Sequence, residues 1–288
     1  MRLIEKSVVF SGLARDCGQS LLYVLDNVHL IATQFGKAGF VFAENDSKDA
    51  TPQTLKVFAA HQTDCHILNC DGIGKKLPER TRRFAYLRNS CLGFIRADKK
   101  LRSYDYLVVM DMDDVNIAPL DRDAIVKAVQ FMETQDEIAG VFANCRGIYY
   151  DMWTLREPRL CPGDVFEEQL DFVVAHQVDD LTAYKATFER RLFSLSESEP
   201  PLEVESAFGG LGIYKMRYAL RATYKGQKPK EVVQNGKKSR FQLQVCEHVH
   251  FNHDIRRHGG KLYILPFLVN RVTEGIEFSK TAYRSLIF

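Results

Sequence analysis

Several things are scarce in this chain of 288 residues, and each absence removes a class of protein. No run approaches the ~18 apolar residues of a membrane span, and Met1–Val9 holds too short an apolar core for a signal peptide, so no transmembrane segment is expected. Net charge is nearly absent: 39 Lys and Arg against 37 Asp and Glu leave +2, without the global field that marks a nucleic-acid binder. Any anionic partner must be met locally, and no nucleic-acid partner is expected. The cysteines (Cys17, Cys65, Cys70, Cys91, Cys145, Cys161, Cys246) are odd in number, scattered and without a close CxxC pair. That pattern argues against a disulfide framework and a structural zinc site, and suits a reducing cytoplasm.

What remains is ordinary globular material, 45% hydrophobic, enough for an ample core. Strand and helix signals alternate. Short β-rich runs at Lys6–Leu13, Gly39–Ala43, Cys65–Asn69, Tyr106–Met110 and Gly140–Ala143 are separated by helical patterns at Gln19–Ala32, Gln53–His61, Glu79–Arg96 and Asp121–Thr134. This order predicts an α/β protein whose ligands bind outside the carboxyl ends of the strands. Residues 157–200, punctuated by Pro158, Pro162 and Pro200, read as an insertion or lid with a helix near Phe166–Val174. Arg221–Arg240, with Gly226, Pro229 and Gly236, reads as an exposed basic loop. Val245–His253 reads as a strand that puts Cys246, His248 and His250 on one face, and Gly259–Pro266 as a closing strand.

The chemistry centres on Asp111-Met112-Asp113-Asp114, at the mouth of the Tyr106–Met110 strand. Asp111 and Asp113 are two apart, so along a continuing strand both leave on one side and can converge on a hard cation. Taken alone, the motif reads more readily as a solvated turn. Arg15 follows the first strand, where an arginine can meet a phosphate or simply solvate its loop. Glu44 and Asp46 open an acidic turn after the second strand, and as acceptor-only groups they suit a base or a ribose. The helix of Arg80, Arg82, Arg83, Arg88 and Arg96 offers forked phosphate donors or a solvated face. Tyr149, Tyr150 and Trp153 beside Asp151 could stack on the C–H face of a sugar while the carboxylate accepts its hydroxyls. Glu205 precedes a glycine-rich turn and is the first choice as a general base.

Several strings, in their order, resemble glycosyltransferases of the GT-A fold. Glu44-Asn-Asp-Ser-x-Asp-x-Thr51 is similar to their nucleotide-binding turn, and Arg83-Phe-Ala-Tyr-Leu-Arg88-Asn89 to the helix before their metal-binding strand. Tyr149-Tyr-Asp-x-Trp-x-Leu-Arg156 and Cys246-Glu-His-Val249 complete a series similar to the fungal capsule-associated α-1,3-mannosyltransferases and related bacterial, plant and viral enzymes. The resemblance implies one GT-A domain over residues 1–288: a mixed central sheet flanked by helices, a nucleotide-binding half 1–118 and an acceptor-binding half 119–288. It implies transfer of a hexose from a GDP- or UDP-sugar to a hydroxyl of a glycan or other acceptor, with Mn²⁺ or Mg²⁺. Donor contacts fall to Arg15, Glu44, Asp46, Arg83, Arg88, Asn89 and Asp111, and acceptor contacts to Tyr150, Trp153 and Arg156. Asp113 is the implied direct metal ligand, Asp111 meets ribose or metal-bound water, and His248 completes the shell ahead of His250. If the enzyme inverts, Glu205 or else Asp151 takes the acceptor proton; if it retains, no such base is needed. A nucleotidyltransferase and a non-catalytic carbohydrate-binding relative remain as alternatives.

Overall fold

A computed structural model describes residues 3–234 and 237–272. In its first half strands and helices alternate: β1 (Leu3–Ala14), α1 (Gly18–Ala32), β2 (Phe35–Glu44), α2 (Thr51–Ala60), β3 (Cys65–Asn69), α3 (Ile73–Lys76), α4 (Arg80–Ala97) and β4 (Tyr106–Asp111). The second half runs α5 (Arg122–Glu133), β5 (Ile138–Arg146), α6 (Val165–His176), α7 (Asp180–Thr187), β6 (Leu202–Val204), β7 (Leu211–Lys215), α8 (Met216–Ala219), β8 (Gln227–Gln234), β9 (Lys237–Gln244), α9 (Glu247–Arg257) and β10 (Lys261–Val272).

Among the described residues eight strands form one mixed sheet in the order β3-β2-β1-β4-β7-β5-β10-β6. β3, β2, β1 and β4 are parallel, and β7 lies antiparallel between β4 and β5. Alternation along each strand feeds two cores. Val8, Phe10, Tyr106 and Val108 pack on one face with Leu21, Val28 and Ile125 of α1 and α5. Val9, Leu107 and Val109 pack on the other with Leu87, Leu92, Phe251 and Ile255 of α4 and α9. The architecture is therefore a helix layer on each face of the sheet, as the alternating pattern predicts.

Three local expectations change. The Val245–His253 segment is not a strand but the beginning of α9, and Glu247, His248, Phe251, Asn252 and Ile255 are its buried residues. The spacing from 248 to 255 is the helical period, so the two-residue repeat of His248 and His250 was a local coincidence. The basic run is not a loop but mostly an antiparallel hairpin of β8 and β9, with Gly236 outside the described residues. Part of its charge is met within the fold, since Lys228 and Lys230 both pair with Glu167 of α6 and Lys230 also with Asp171. The 157–200 region contains two helices rather than one, α6 beginning where Asp164 accepts from the amides of Phe166 and Glu167 at 3.1 and 3.2 Å.

The hairpin is fastened to α4 at a point with no spare room. A Cβ at Gly226 would lie 2.0 Å from the carbonyl oxygen of Thr81, whose hydroxyl donates to the Gly226 carbonyl at 2.6 Å. Because the clash is with backbone, Gly226→Ala should lower the thermal midpoint by at least several degrees, measured by circular dichroism on the purified variant.

Candidate functional site

The carboxyl ends of β1, β2 and β4 open into a cleft of about 310 Å³, closed on the far side by residues 150–154 and by the first turn of α9. Its floor is an ion-pair network around Arg88. The guanidinium is buried, donates through Nε to Glu247 Oε1 at 2.8 Å and through Nη2 to Asp111 Oδ1 at 3.2 Å. The rings of Phe208 and Tyr224 lie 5.4 and 5.9 Å from it. Burial opposes the charge, but Glu247 and Asp111 outweigh burial and hold the arginine firmly protonated.

Carboxylates outnumber that cation. Asp111, Asp113, Asp151 and Glu247 all line the cleft. Burial pushes Asp111 up to about 7 against the pull of Arg88, and the charges of Asp113, Asp151 and Glu247 push the same way. Asp113 is raised chiefly by desolvation, although its Oδ1 accepts from the Val115 amide at 3.2 Å. Asp151 is raised by burial and held in place: one oxygen accepts from the Thr154 hydroxyl at 2.8 Å and the other from the Gly209 amide at 2.9 Å. Gly209 and Gly210 have φ of 63° and 78°, the left-handed conformation for which glycine is suited, and it brings that amide to the carboxylate.

Carboxylates disfavoured first by desolvation and then by neighbouring negative charge make an environment that a hard divalent cation would relieve. The donor set therefore fits Mg²⁺ or Mn²⁺. The expected trio Asp111, Asp113 and His248 is nonetheless not a ready-made shell, because among the described residues no three His, Cys, Asp or Glu side chains converge closely enough to enclose an ion. Such an arrangement matches a cation held by one or two carboxylates and completed by ligand oxygens.

His248 is 2% exposed, stacks on Phe208 at 3.8 Å between ring centroids, and has no hydrogen-bond partner at either ring nitrogen. Burial, with Arg88 nearby, keeps it neutral, well below the usual histidine range. His250 is not beside it: on the helix it turns away, bonding the Thr223 carbonyl at 2.9 Å. Two more buried polar atoms on residues that line the cleft lack partners, the Tyr150 hydroxyl and Trp153 Nε1. Tyr149, by contrast, is wholly buried in the core.

Other residues expected at the site have partners within the fold, lie outside the cleft or stand at its rim. Arg156 donates to the carbonyls of Trp153 and Leu155 and to Asp164 at 2.7 to 2.9 Å, so its guanidinium is consumed in shaping the segment and does not line the cleft. Asn89 exchanges two hydrogen bonds with the Tyr224 backbone, and Arg83 donates to the Leu77 and Pro78 carbonyls. Glu44 accepts from the Ser47 amide at 3.1 Å. Asp46, in a left-handed turn with φ of 56°, accepts from Asn45, Gly72 and Gly74, which hold it at about 2. Neither carboxylate lines the cleft, whereas Asn45 between them does. Glu205 is exposed and outside it, on a segment whose amide bonds the Arg156 carbonyl. Arg15 stands at the rim with Arg80, both exposed.

Glu247 is the principal residue that sequence reasoning passed over. Reading its segment as a strand put it on the face opposite His248; reading a helix start after Cys246 places both on the cleft wall.

No family model and no curated protein matches the chain. Among solved structures, it superposes on the mannosyltransferase PcManGT from Pyrobaculum calidifontis in complex with GDP-Man and Mn²⁺ with a TM-score of 0.50 at 16% identity, covering 96% of this chain and 59% of that one. S. aureus TarS 1-349 gives 0.47 at 12%, covering 93% and 60%. Glucosyl-3-phosphoglycerate synthase from Mycobacterium tuberculosis, with Mn²⁺, UDP and phosphoglyceric acid, gives 0.41 at 12%, covering 93% and 67%. The chain thus spans about three fifths of the length of the first two. At such identity the likeness concerns the fold, and the fold is of the GT-A type.

Removing the floor of the cleft should be costly. Arg88→Met leaves Glu247 buried and Asp111 half-buried without their cation, and breaking the buried Arg88–Glu247 pair in this way costs about 3–5 kcal/mol. The loss should appear in urea denaturation as a lower midpoint at unchanged slope.

Proposed function

We propose that this chain is a metal-dependent glycosyltransferase that moves a hexose from a GDP- or UDP-sugar to a hydroxyl of a glycan or other acceptor. The observation that carries the reading is the crowd of carboxylates, Asp111, Asp113, Asp151 and Glu247, facing a cleft at the carboxyl ends of parallel strands with arginines at its rim. The P. calidifontis enzyme of the same fold, solved with GDP-Man and Mn²⁺, supports the donor and metal classes.

In this reading residues 1–118 present the donor side and 119–288 the acceptor side. Asp113 and Asp111 would hold Mn²⁺ or Mg²⁺, which would offset the charge of the donor diphosphate and of the departing nucleoside diphosphate. Arg15 and Arg80 at the rim meet the outer phosphate oxygens. Tyr150 and Trp153 offer an apolar platform with one polar atom each to sugar hydroxyls, and neutral His248 offers a donor and an acceptor to the same bound ligand. Arg88 lines the cleft and fixes Asp111 and Glu247.

For an inverting reaction the base is Asp151, not Glu205, because Asp151 lines the cleft and Glu205 does not. Asp151 accepts the proton of the acceptor hydroxyl as that oxygen bonds to the anomeric carbon, while the bond from that carbon to the phosphate oxygen breaks. Its raised proton affinity favours the transfer. A retaining reaction needs no such base, and the two outcomes are separated by the variants below. Among the described residues no disulfide joins the cysteines, which fits a reducing compartment such as the cytoplasm, and no helix is long and apolar enough to cross a membrane.

Two measurements test this. In thermal shift, GDP or UDP at about 100 times its Kd should stabilise the protein by about 2.7 kcal/mol when Mn²⁺ is present. Asp113→Ala should fold normally yet lose both that stabilisation and turnover. A wild-type protein indifferent to both nucleotides with Mn²⁺ would refute the proposal. For an inverting enzyme, Asp151→Asn should lower kcat at least about 100-fold while Glu205→Gln stays within about twofold; the reverse result would return the base to Glu205.

A further inference from the structure

β4 and β7 pair only as far as Met110 and Leu211, and both strands then turn away into functional loops. One leads to Asp113, the other comes from Gly209 and Gly210. Two buried asparagines, 0 and 1% exposed, occupy the fork. Asn116 Nδ2 donates to the carbonyl of Asp111 at 2.9 Å and to that of Gly210 at 2.8 Å, the first residues beyond the last paired rung. Asn270, from β10, donates to Asn116 Oδ1 at 2.9 Å and to the Gly209 carbonyl at 2.7 Å. Gly209 in turn gives its amide to Asp151. Behind them Asn27 of α1 donates to the backbone carbonyls of Asn116 and Ala118 at 2.7 and 2.8 Å.

We propose that Asn116 and Asn270 are positioning residues, an amide buckle that sets the spacing between the Asp111–Asp113 turn and Asp151. The inference rests on the glycosyltransferase reading and deepens it: donor-side and acceptor-side carboxylates are registered by this relay and not by the sheet alone. Only a carboxamide fits at either position. Each donates two protons, Asn116 to two backbone carbonyls and Asn270 to one carbonyl and to Asn116 Oδ1, so aspartate would set oxygen against oxygen and leucine would leave buried acceptors unpaired. Asn116 acts on the donor turn directly, whereas Asn270 acts on the relation between the two turns. The two should therefore fail differently.

The test uses the full chain, Mn²⁺ with GDP or UDP, and calorimetric titration beside steady-state kinetics. Asn144 serves as control, because it is equally buried and ties the Leu195 and Pro266 carbonyls, touching neither turn. Asn116→Leu should weaken nucleotide binding at least tenfold at a stoichiometry near one. Asn270→Leu should leave that Kd and the donor KM within threefold but lower kcat at least tenfold. Asn144→Leu should lower the thermal midpoint with Kd and kcat within threefold of wild type. If either leucine variant at the buckle does not fold, Asn116→Ser and Asn270→Ser, which keep a hydroxyl donor, are held to the same thresholds. Wild-type Kd and kcat in the buckle variants, or equal losses in Asn144→Leu, would overturn the positioning role alone. A wild-type protein that binds neither nucleotide overturns the role and the glycosyltransferase reading together.

Discussion

The cleft depends on one buried cation. Arg88 reaches from α4 to β4 and α9 and neutralises a carboxylate on each, in a place where an isolated charge would cost several kcal/mol to desolvate. That cost makes the ion pairs poor evidence of net stability and good evidence of register. Helix, strand and helix can be packed in many ways by apolar contacts, but few of those ways leave the guanidinium bonded on both sides. Phe208 and Tyr224 exclude water around it, which raises the cost of any misfit.

With Arg88 committed, the cleft divides by charge. Exposed arginines stand at the rim, while the floor carries more carboxylates than its own cation can balance. A ligand that suits both zones must be anionic at the rim and must bring or attract positive charge at the floor. A nucleoside diphosphate with a divalent ion meets that description. His248 adds a neutral group with two unpartnered nitrogens between the zones, a cost the fold bears without compensation from its own side chains.

The sheet was legible in the sequence because its strands are short β-branched and aromatic runs separated by strongly periodic helices, and periodicity is a local property. Asp111 and Asp113 were legible for the same reason, sitting directly after such a run. What could not be read was which polar groups the fold consumes. Arg156 and Asn89 look in the sequence like ligand-binding residues, but their partners are backbone carbonyls and amides that only tertiary packing supplies. Glu205 and Asp151 are equivalent as carboxylates near glycines and aromatics. The left-handed turn at Gly209 and Gly210 ties its amide to Asp151, and of the two carboxylates only Asp151 lines the cleft. The His248 segment misled because two histidines at alternate positions outweighed Phe251 and Ile255, which extend the helical period beyond it.

The place of β7 in the sheet has a consequence for how the chain acquires its structure. This strand, made from residues 211–215, lies between β4, residues 106–111, and β5, residues 138–146, both made well before it. Until it inserts, β4 is the open edge of the parallel half-sheet and β5, whose other partner β10 comes later still, is unpaired, and the pairings that close them span long loops. The sheet therefore cannot be completed in the order of synthesis. A nascent chain must hold two apolar edges apart while residues 147–210 emerge, which makes this interval the stage most exposed to mispairing and most in need of a chaperone.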